Sequence, residues 1–209
     1  MEKQEIRTFG RRHGKKLSAR KERLVETVLP NIAPNANEKN AILEIGFGAG
    51  EHMRELALEY PDQIIIGAEP FVNGVAALLS AICDEKDNIC PEYKNIRIWP
   101  DDVRLLFDKT KFQFDTVWVL HPDPWPKARH EKRRLLNADF LTLLGKNLAQ
   151  GGKIIIGTDH WEYHDWILDQ VKKTNLVPHE SDTEIIKTRY QQKNMAHTAE
   201  PKYIILGVE

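Results

Sequence analysis

LEIGFGAGE (residues 43–51) joins a short apolar run to a segment with helical periodicity. Three glycines let the backbone turn tightly and come close to a ligand, and they are Gly46, Gly48 and Gly50. A dinucleotide-binding fingerprint would have a further glycine where Glu51 stands. Because a carboxylate at a helix N-terminus repels a pyrophosphate, and Glu44 adds a second carboxylate, the turn favours a cationic or zwitterionic ligand. A tight turn that binds no ligand is the simpler alternative.

The alternation of apolar runs and helical segments continues along the chain from this turn. The patterns predict strands at 41–46, 63–69, 95–99, 114–120 and 152–158, followed by helices at 50–59, 71–83, 102–108, 131–148 and 161–174. Near-continuous Ile and Val runs between helices indicate strands that are covered on both faces, as in parallel sheets. Extended runs at 176–179 and 202–208 then predict a closing hairpin. We therefore predict an α/β fold with a Rossmann-like, doubly wound, mainly parallel seven-stranded sheet and a C-terminal antiparallel strand.

Basic charge is concentrated in two blocks, although the chain has a net charge of only -1. Residues 1–23 hold nine Lys and Arg against three Glu, and residues 127–134 hold five against one. Two basic blocks on an acidic body predict a local polyanion-binding face, whereas a single block is usually just solvated surface. We expect residues 1–15 to form a flexible basic arm and residues 16–209 a single domain, with Ser18 capping its first helix.

Several classes of protein are disfavoured by what the sequence lacks. No apolar run approaches the ~20 residues of a membrane span, and the N-terminus has no apolar core of a signal peptide. Two cysteines, Cys83 and Cys90, form no disulfide framework. We therefore predict a cytoplasmic protein without a membrane partner. No metal is predicted either, because no Cys or carboxylate pattern completes a site with His121, His130, His160 and His164.

Carboxylates stand where several predicted strands end. Glu69 lies 23 residues after Gly46, and doubly wound folds place an acidic residue near that spacing on ribose hydroxyls. Asp101 and Asp102 end the third strand, where one of them is expected either to accept from an adenine amino group or to cap the next helix. Asp159 ends the fifth strand and can be a ligand or a cap. S-adenosylmethionine, which carries a sulfonium, an ammonium and ribose hydroxyls, suits this set of groups.

LHPDPWPKARHEKRR (residues 120–134) follows the fourth strand. Its prolines fix φ and stiffen the loop at the edge of the sheet where a substrate should meet a cofactor, and they are Pro122, Pro124 and Pro126. Asp123 stands in the middle of this loop and Trp125 offers a stacking face; a turn whose prolines only end the strand is the simpler alternative. Near the C-terminus, KTRYQQK (187–193) interleaves basic residues with a tyrosine, which suits contacts with phosphate and base.

Together these motifs resemble the bacterial tRNA (guanine-N7)-methyltransferase family of class I methyltransferases. The matching stretches run in order along nearly the whole chain and are FGRRHGKKLS (9–18), LEIGFGAGEH (43–52), GAEPFVNGVA (67–76), NIRIWPDD (95–102), HPDPWPKARHEKRR (121–134), GTDHWEYHDW (157–166) and TRYQQK (188–193). The resemblance implies the class I methyltransferase fold and methyl transfer from S-adenosylmethionine, leaving S-adenosylhomocysteine. The implied target is N7 of the guanine at position 46 in the variable loop of tRNA.

The resemblance also implies roles for individual residues. The implied cofactor-binding residues are Glu44, Gly46, Gly48, Gly50, Glu69, Asp102 and Asp123. Asp123 is implied to be the active-site acid as well. Guanine or tRNA contacts are implied for Lys127, Asp159, Thr188, Arg189, Tyr190 and Gln191. Two positions depart from the family pattern, because Gln191 stands where a glutamate is common and His121 where phenylalanine is more usual.

The chemistry of guanine narrows the mechanism that we expect. N7 is an unprotonated acceptor and needs no base, so the main task is to place it beside the methyl donor for in-line displacement. Asp123 is expected to accept hydrogen bonds from N1–H and N2–H₂ of the guanine, with Asp159 as the competing candidate. Three alternatives stay open: a nicotinamide-dependent oxidoreductase, a methyltransferase of exocyclic amines in DNA, and a non-catalytic RNA-binding module. We expect tRNA as the partner, no obligate protein partner, and a monomer or homodimer.

Overall fold

A seven-stranded sheet forms the centre of the protein in the computed structural model, which describes residues 9–35, 41–109, 113–179 and 201–208. The strands are β1 (Ala41–Ile45), β2 (Ile64–Ala68), β3 (Ile96–Trp99), β4 (Phe114–Leu120), β5 (Leu148–Thr158), β6 (Leu176–Pro178) and β7 (Lys202–Val208). Their spatial order is β3-β2-β1-β4-β5-β7-β6, and β7 is antiparallel to both of its neighbours while the other pairs are parallel. The fold class predicted from the sequence is confirmed.

Helices cover both faces of this sheet. They are α1 (Ala19–Thr27), α2 (Glu51–Glu59), α3 (Val72–Ile82), α4 (Val103–Lys109), α5 (Ala138–Lys146) and α6 (Trp161–Val171). The first three pack on one face and the last three on the other, so that adjacent β1 residues Ile42 and Leu43 belong to opposite core clusters. This arrangement explains why the strands are apolar almost without interruption. Ser18 caps α1 as predicted, because its side chain accepts a hydrogen bond from Lys21 N–H.

The helix that the sequence predicts over 131–148 is wrong in its first part. Ala128–Arg133 forms a short 3₁₀ helix, and α5 begins only at Ala138. The side chain of Asn137 accepts a hydrogen bond from Phe140 N–H at 3.0 Å. Asparagine is a strong N-cap, so the α-helix starts after Asn137 and not within the basic run.

The N-terminal residues that the structure describes lie against the body of the protein. The carbonyl of Arg12 accepts a hydrogen bond from Val72 N–H at 3.0 Å, and Gly14 N–H donates to Asn73 Oδ1 at 2.7 Å. The Arg12 guanidinium also pairs with the Asp101 carboxylate. Residues 1–8 lie outside the described part of the chain, and the division into an arm and a domain at residue 15 stays a prediction. No helix in the described ranges is long and apolar enough to cross a membrane.

Candidate active site

A cleft of about 320 Å³ opens at the carboxyl ends of the central strands. It lies where the strand order reverses between β1 and β4, which is the usual ligand position in open α/β sheets. Four of the seven implied cofactor-binding residues line it, and they are Gly46, Glu69, Asp102 and Asp123. The lining holds three carboxylates and five Lys or Arg side chains, so a cleft of this size fits a small zwitterionic ligand.

The glycine turn after β1 borders the cleft through Gly46, whereas Gly48 and Gly50 are not in the lining and their contact with a cofactor stays a prediction. Its glycines have φ of +75°, +58° and +78°, in the left-handed region that other residues avoid, at Gly46, Gly48 and Gly50 respectively. The α3 helix packs closely on the turn, since a Cβ built on Gly74 would lie 2.3 Å from the Gly48 carbonyl oxygen. The sequence of the turn therefore dictates its backbone, and α3 holds it in place.

Glu69 at the end of β2 holds the glycine turn from the other side. Its Oε2 accepts a hydrogen bond from Gly48 N–H at 2.8 Å, and its Oε1 accepts one from Phe71 N–H at 2.9 Å. Burial raises the pKa of Glu69 above its ordinary value, because desolvation outweighs these two bonds, and the charges of Glu44 and Asp123 add to the effect. A positive charge bound in the cleft would stabilise the ionised carboxylate.

The two aspartates that follow β3 take different positions. Asp102 is buried and lines the cleft, and it pairs with Arg104 through both carboxylate oxygens, at 2.9 Å to Nε and 2.6 Å to Nη2. Asp101 pairs instead with Arg12 on the surface and accepts a hydrogen bond from Asp102 N–H at 2.8 Å. Of the two residues that the sequence left open, Asp102 is thus the one that faces the cleft.

Glu44 lies beneath the glycine turn and is not part of the cleft lining. Its Oε2 is 3.1 Å from Nδ1 of His52, and both side chains are almost fully buried. The His52 ring packs edge-on against Trp118, with 4.9 Å between ring centroids. Sequence reasoning missed His52, although its position directly after the turn is a usable signal. The role of Glu44 in cofactor binding stays a prediction.

The loop after β4 carries Asp123 into the cleft in an unusual backbone conformation. His121 and Trp125, on either side of it, have φ of +49° and +43°. Such values are costly for residues other than glycine and persist only where surrounding contacts hold them. His121 N–H donates to the Gly157 carbonyl at 2.7 Å, and the Pro124 carbonyl accepts a hydrogen bond from Arg134 Nε at 2.8 Å.

The remaining predicted substrate residues are distributed around the cleft. Asp159 follows β5, and its Oδ1 is 3.9 Å from Nδ1 of His121, which itself lines the cleft. Lys127 is exposed at the start of the basic run. The predicted tRNA contacts Thr188, Arg189, Tyr190 and Gln191 lie outside the described residues. The structure therefore places Asp159 next to the cleft. The substrate-binding roles of Asp159, Lys127 and residues 188–191 stay predictions.

An aromatic and cationic layer lies over the cleft, and of its members the sequence predictions include Trp125 and the basic run but not Phe9. The Arg133 guanidinium lies 4.9 Å from the centroid of the Trp125 ring and 5.5 Å from that of Phe9. Phe9 is the one Phe, Trp or Tyr in the first 23 positions, and that isolation is a signal the sequence does carry. Within the described parts of the chain, no three His, Cys, Asp or Glu side chains are arranged to hold a metal ion.

Comparison with known proteins identifies the family to which this chain belongs. The family model described as "Putative methyltransferase" matches residues 38–208. A tRNA (guanine-N(7)-)-methyltransferase of Neorickettsia sennetsu is 40% identical over 163 residues, covering 77% of this chain and 72% of the relative. One of Caulobacter vibrioides (strain NA1000 / CB15N) is 34% identical over 217 residues, covering 93% and 92%. The chain belongs to the tRNA (guanine-N7)-methyltransferase family.

Solved structures of methyltransferases share the fold of this tRNA (guanine-N7)-methyltransferase family member. An antibiotic-related methyltransferase has a TM-score of 0.57 at 13% identity, over 93% of this chain and 97% of that one. An rRNA methylase from Streptococcus thermophilus has a TM-score of 0.52 at 12% identity, over 92% and 99%. At these identities the likeness concerns the fold alone.

The histidine that departs from the family pattern makes a testable contribution to acid stability. Burial lowers the pKa of His121, and this effect outweighs the neighbouring Asp159 carboxylate, which raises it. A lowered folded-state pKa means that the folded state binds fewer protons than the unfolded state once the pH falls below about 6.5, the unperturbed value. Stability from the neutral ring is therefore present above that pH and is lost as the pH falls through the folded-state pKa.

We expect His121→Phe to reduce this acid sensitivity. The Tm of the wild-type protein should fall more steeply between about pH 7 and pH 5 than that of the variant. Thermal unfolding at a series of pH values measures the difference. His13→Phe, at an exposed position, is the matched control and should follow the wild-type curve. Parallel curves for wild type and His121→Phe would contradict the assignment.

Proposed function

We propose that this chain transfers a methyl group from S-adenosylmethionine to N7 of a guanine in tRNA, at position 46 of the variable loop. The observation that carries the proposal is that Gly46 of the glycine turn and the Asp123 loop meet at one cleft, whose lining holds both carboxylates and cations. Family membership supports the substrate, because the curated relatives are named tRNA (guanine-N(7)-)-methyltransferases.

The chemistry of the cleft fits S-adenosylmethionine. Gly46 in the lining leaves the backbone accessible, while Glu69 and Asp102 supply carboxylates that can receive ribose hydroxyls and an adenine amino group. When bound, S-adenosylmethionine supplies a methyl group on a positively charged sulfur that a nitrogen lone pair can displace in line. Burial disfavours the ionised form of Glu69, and a bound positive charge nearby would stabilise that form.

Asp123 is the residue that we assign to the guanine. It stands between prolines on a loop that is fixed at both ends, so its carboxylate is preorganised at the mouth of the cleft. In this role it accepts hydrogen bonds from N1–H and N2–H₂ of the base and offsets the positive charge that develops on the ring. Adenine presents a different edge and is rejected. Asp159, near His121, is the second carboxylate that can serve this edge.

Binding of tRNA would use the exposed members of the basic run. Lys127 and Arg129 are exposed beside the Asp123 loop. Contacts with phosphate release counterions, so affinity should fall as salt rises. The predicted 188–191 contacts complete the substrate site in this proposal. A cytoplasmic location and action without an obligate protein partner, as a monomer or homodimer, are further parts of it.

The double variant Lys127→Ala/Arg129→Ala tests the phosphate contacts. We expect the slope of log K against log salt concentration for tRNA binding to become shallower by about two, because two cations no longer meet a phosphate. Lys172→Ala/Lys173→Ala removes the same charge from the far end of α6 and should keep the wild-type slope. Equal slopes for the wild type and the first double variant would remove the basic run from the tRNA interface.

Mapping of the modified base tests the proposed function. The protein is incubated with S-adenosylmethionine and an unmodified tRNA transcript, followed by reduction and aniline cleavage, which cuts the chain at N7-methylguanine. We expect cleavage at the variable-loop guanine and none in a transcript carrying 7-deazaguanine there. Duplex DNA offered in parallel should accept no methyl group. Methyl transfer to DNA, or to a different tRNA atom, would overturn the proposal.

A further inference from the structure

Arg134 ends the basic run 127–134 but differs from its other members in environment. Only 8% of its surface is exposed, whereas Lys127, Arg129 and Lys132 are exposed. The whole run is predicted from the sequence to form a polyanion-binding face. Arg134 differs from the exposed members of that face, because it is buried and lines the cleft.

The contacts of Arg134 connect the Asp123 loop to α6. Its Nε donates to the Pro124 carbonyl at 2.8 Å. Its guanidinium carbon lies 5.3 Å from the centroid of the Tyr163 ring and 4.9 Å from that of Trp166. Trp166 in turn donates its indole N–H to the carboxylate of Glu131 in the 3₁₀ helix. A buried charge is thus held by a carbonyl oxygen and two aromatic faces.

The backbone conformation on either side of Asp123 explains why the loop needs contacts that hold it in place. His121 and Trp125 both have left-handed φ, a conformation that only surrounding contacts maintain. The first end of the loop is held by the bond from His121 N–H to the Gly157 carbonyl of β5. The second end is held at Pro124, and the side chain that holds it there is Arg134.

We propose that Arg134 is a positioning residue for methyl transfer, which fixes the Asp123 loop against α6 and thereby sets the place of the Asp123 carboxylate. The inference rests on the proposed function, because it assigns Asp123 to the guanine. Because α6 begins two residues after Asp159, the contacts of Arg134 with α6 also fix the Asp123 loop relative to Asp159, the other candidate guanine-binding carboxylate. Lysine is a poor substitute here, because it lacks the planar face that stacks on the two rings.

Arg134→Lys separates positioning from phosphate binding. A misplacement of about 1 Å costs roughly 100-fold in rate, so we expect kcat to fall about 100-fold while KM for tRNA and for S-adenosylmethionine stay within about threefold. Arg97→Lys, an arginine that donates to the Lys94 carbonyl away from the cleft, is the matched control and should keep the wild-type kcat. Each kcat is divided by the fraction of protein that binds S-adenosylhomocysteine, so that misfolded molecules do not count.

Chemical rescue of kcat by a small guanidinium compound gives a second test of the positioning role. Added ethylguanidinium should restore kcat of Arg134→Ala by at least about tenfold, because it can refill the site between Pro124 and the two rings. If Arg134→Ala does not fold, the Arg134→Lys result decides alone. A raised KM for tRNA with unchanged kcat, or a wild-type kcat, in Arg134→Lys would overturn the positioning role. Failure of the wild-type protein to methylate tRNA would instead overturn the proposed function.

Discussion

Replacing Asp123 by asparagine is expected to lower kcat for tRNA methylation by at least about 100-fold, the usual effect of removing one preorganised polar contact to a transition state. Asparagine keeps the shape of the side chain but loses the negative charge and one of the two acceptors that face the guanine N–H groups. Binding of tRNA, which depends mainly on phosphate contacts, should stay within about threefold of the wild type. Single-turnover kinetics and a tRNA-binding titration measure the two effects separately.

The same experiment has a matched control on the same strand. Asp115 lies at the opposite end of β4 from the Asp123 loop, and Asp115→Asn should keep the wild-type kcat. Asp123→Ala should lower kcat at least as much as Asp123→Asn, because it removes the charge and both acceptors. Retained turnover in either Asp123 variant would move the guanine-binding role to another group, and Asp159→Asn would then be the next variant to measure.

Glu69→Gln is expected to weaken S-adenosylmethionine binding by about 100-fold. The carboxylate has two structural bonds, to Gly48 N–H and Phe71 N–H, and it is also the proposed acceptor for ribose hydroxyls. An amide offers one oxygen acceptor in place of two, so one backbone N–H in a buried position loses its partner. Where the lost partner is a ribose hydroxyl of the bound cofactor, a hydrogen bond to a charged group contributes about 1.5–3 kcal/mol, which is roughly a 10- to 150-fold change in Kd. Isothermal titration calorimetry measures it directly.

Glu85→Gln, at an exposed position between α3 and β3, is the control for the loss of one negative charge and should bind the cofactor as the wild type does. Binding that is unchanged in Glu69→Gln would show that the glycine turn does not depend on this carboxylate. It would also remove the ribose contact from the proposal.

The glycine turn could be predicted because its requirements are local. Gly46, Gly48 and Gly50 adopt left-handed φ, which glycine tolerates and other residues avoid. The apolar patterns on either side of the turn predict the strand and the helix. The acidic residue Glu69 could be placed because parallel strands end at one edge of a sheet. Strand order and the position of the cleft then follow from the topology of doubly wound folds.

The basic run after the Asp123 loop could not be predicted in the same way. From residues 127–134 alone, every cation reads as solvated surface, and the helical pattern of 131–148 suggests one long helix. The structure instead turns Arg134 inward, onto Tyr163 and Trp166, which lie about 30 positions further along the chain. Only tertiary packing creates that site, and no local pattern in the sequence encodes it.

Glu44 illustrates a second limit of sequence reasoning. Its place in the sequence, directly before the glycine turn, suggests a ligand contact, but alternation along β1 directs its side chain toward His52 beneath the turn. Strand registers decide such orientations, and those registers depend on pairing with β2 and β4. Asp101 and Asp102 follow the end of β3, and there it is tertiary contact that separates Asp102, which lines the cleft, from Asp101, which pairs with Arg12.

A crystal structure with bound S-adenosylhomocysteine is the most direct measurement of the central claim, that the glycine turn and the Asp123 loop hold the methyl donor between them. We expect the ligand in the cleft lined by Gly46, Glu69 and Asp102, with its sulfur facing the Asp123 carboxylate. A ligand bound elsewhere on the protein, or a cleft that stays empty at a saturating ligand concentration, would refute this placement.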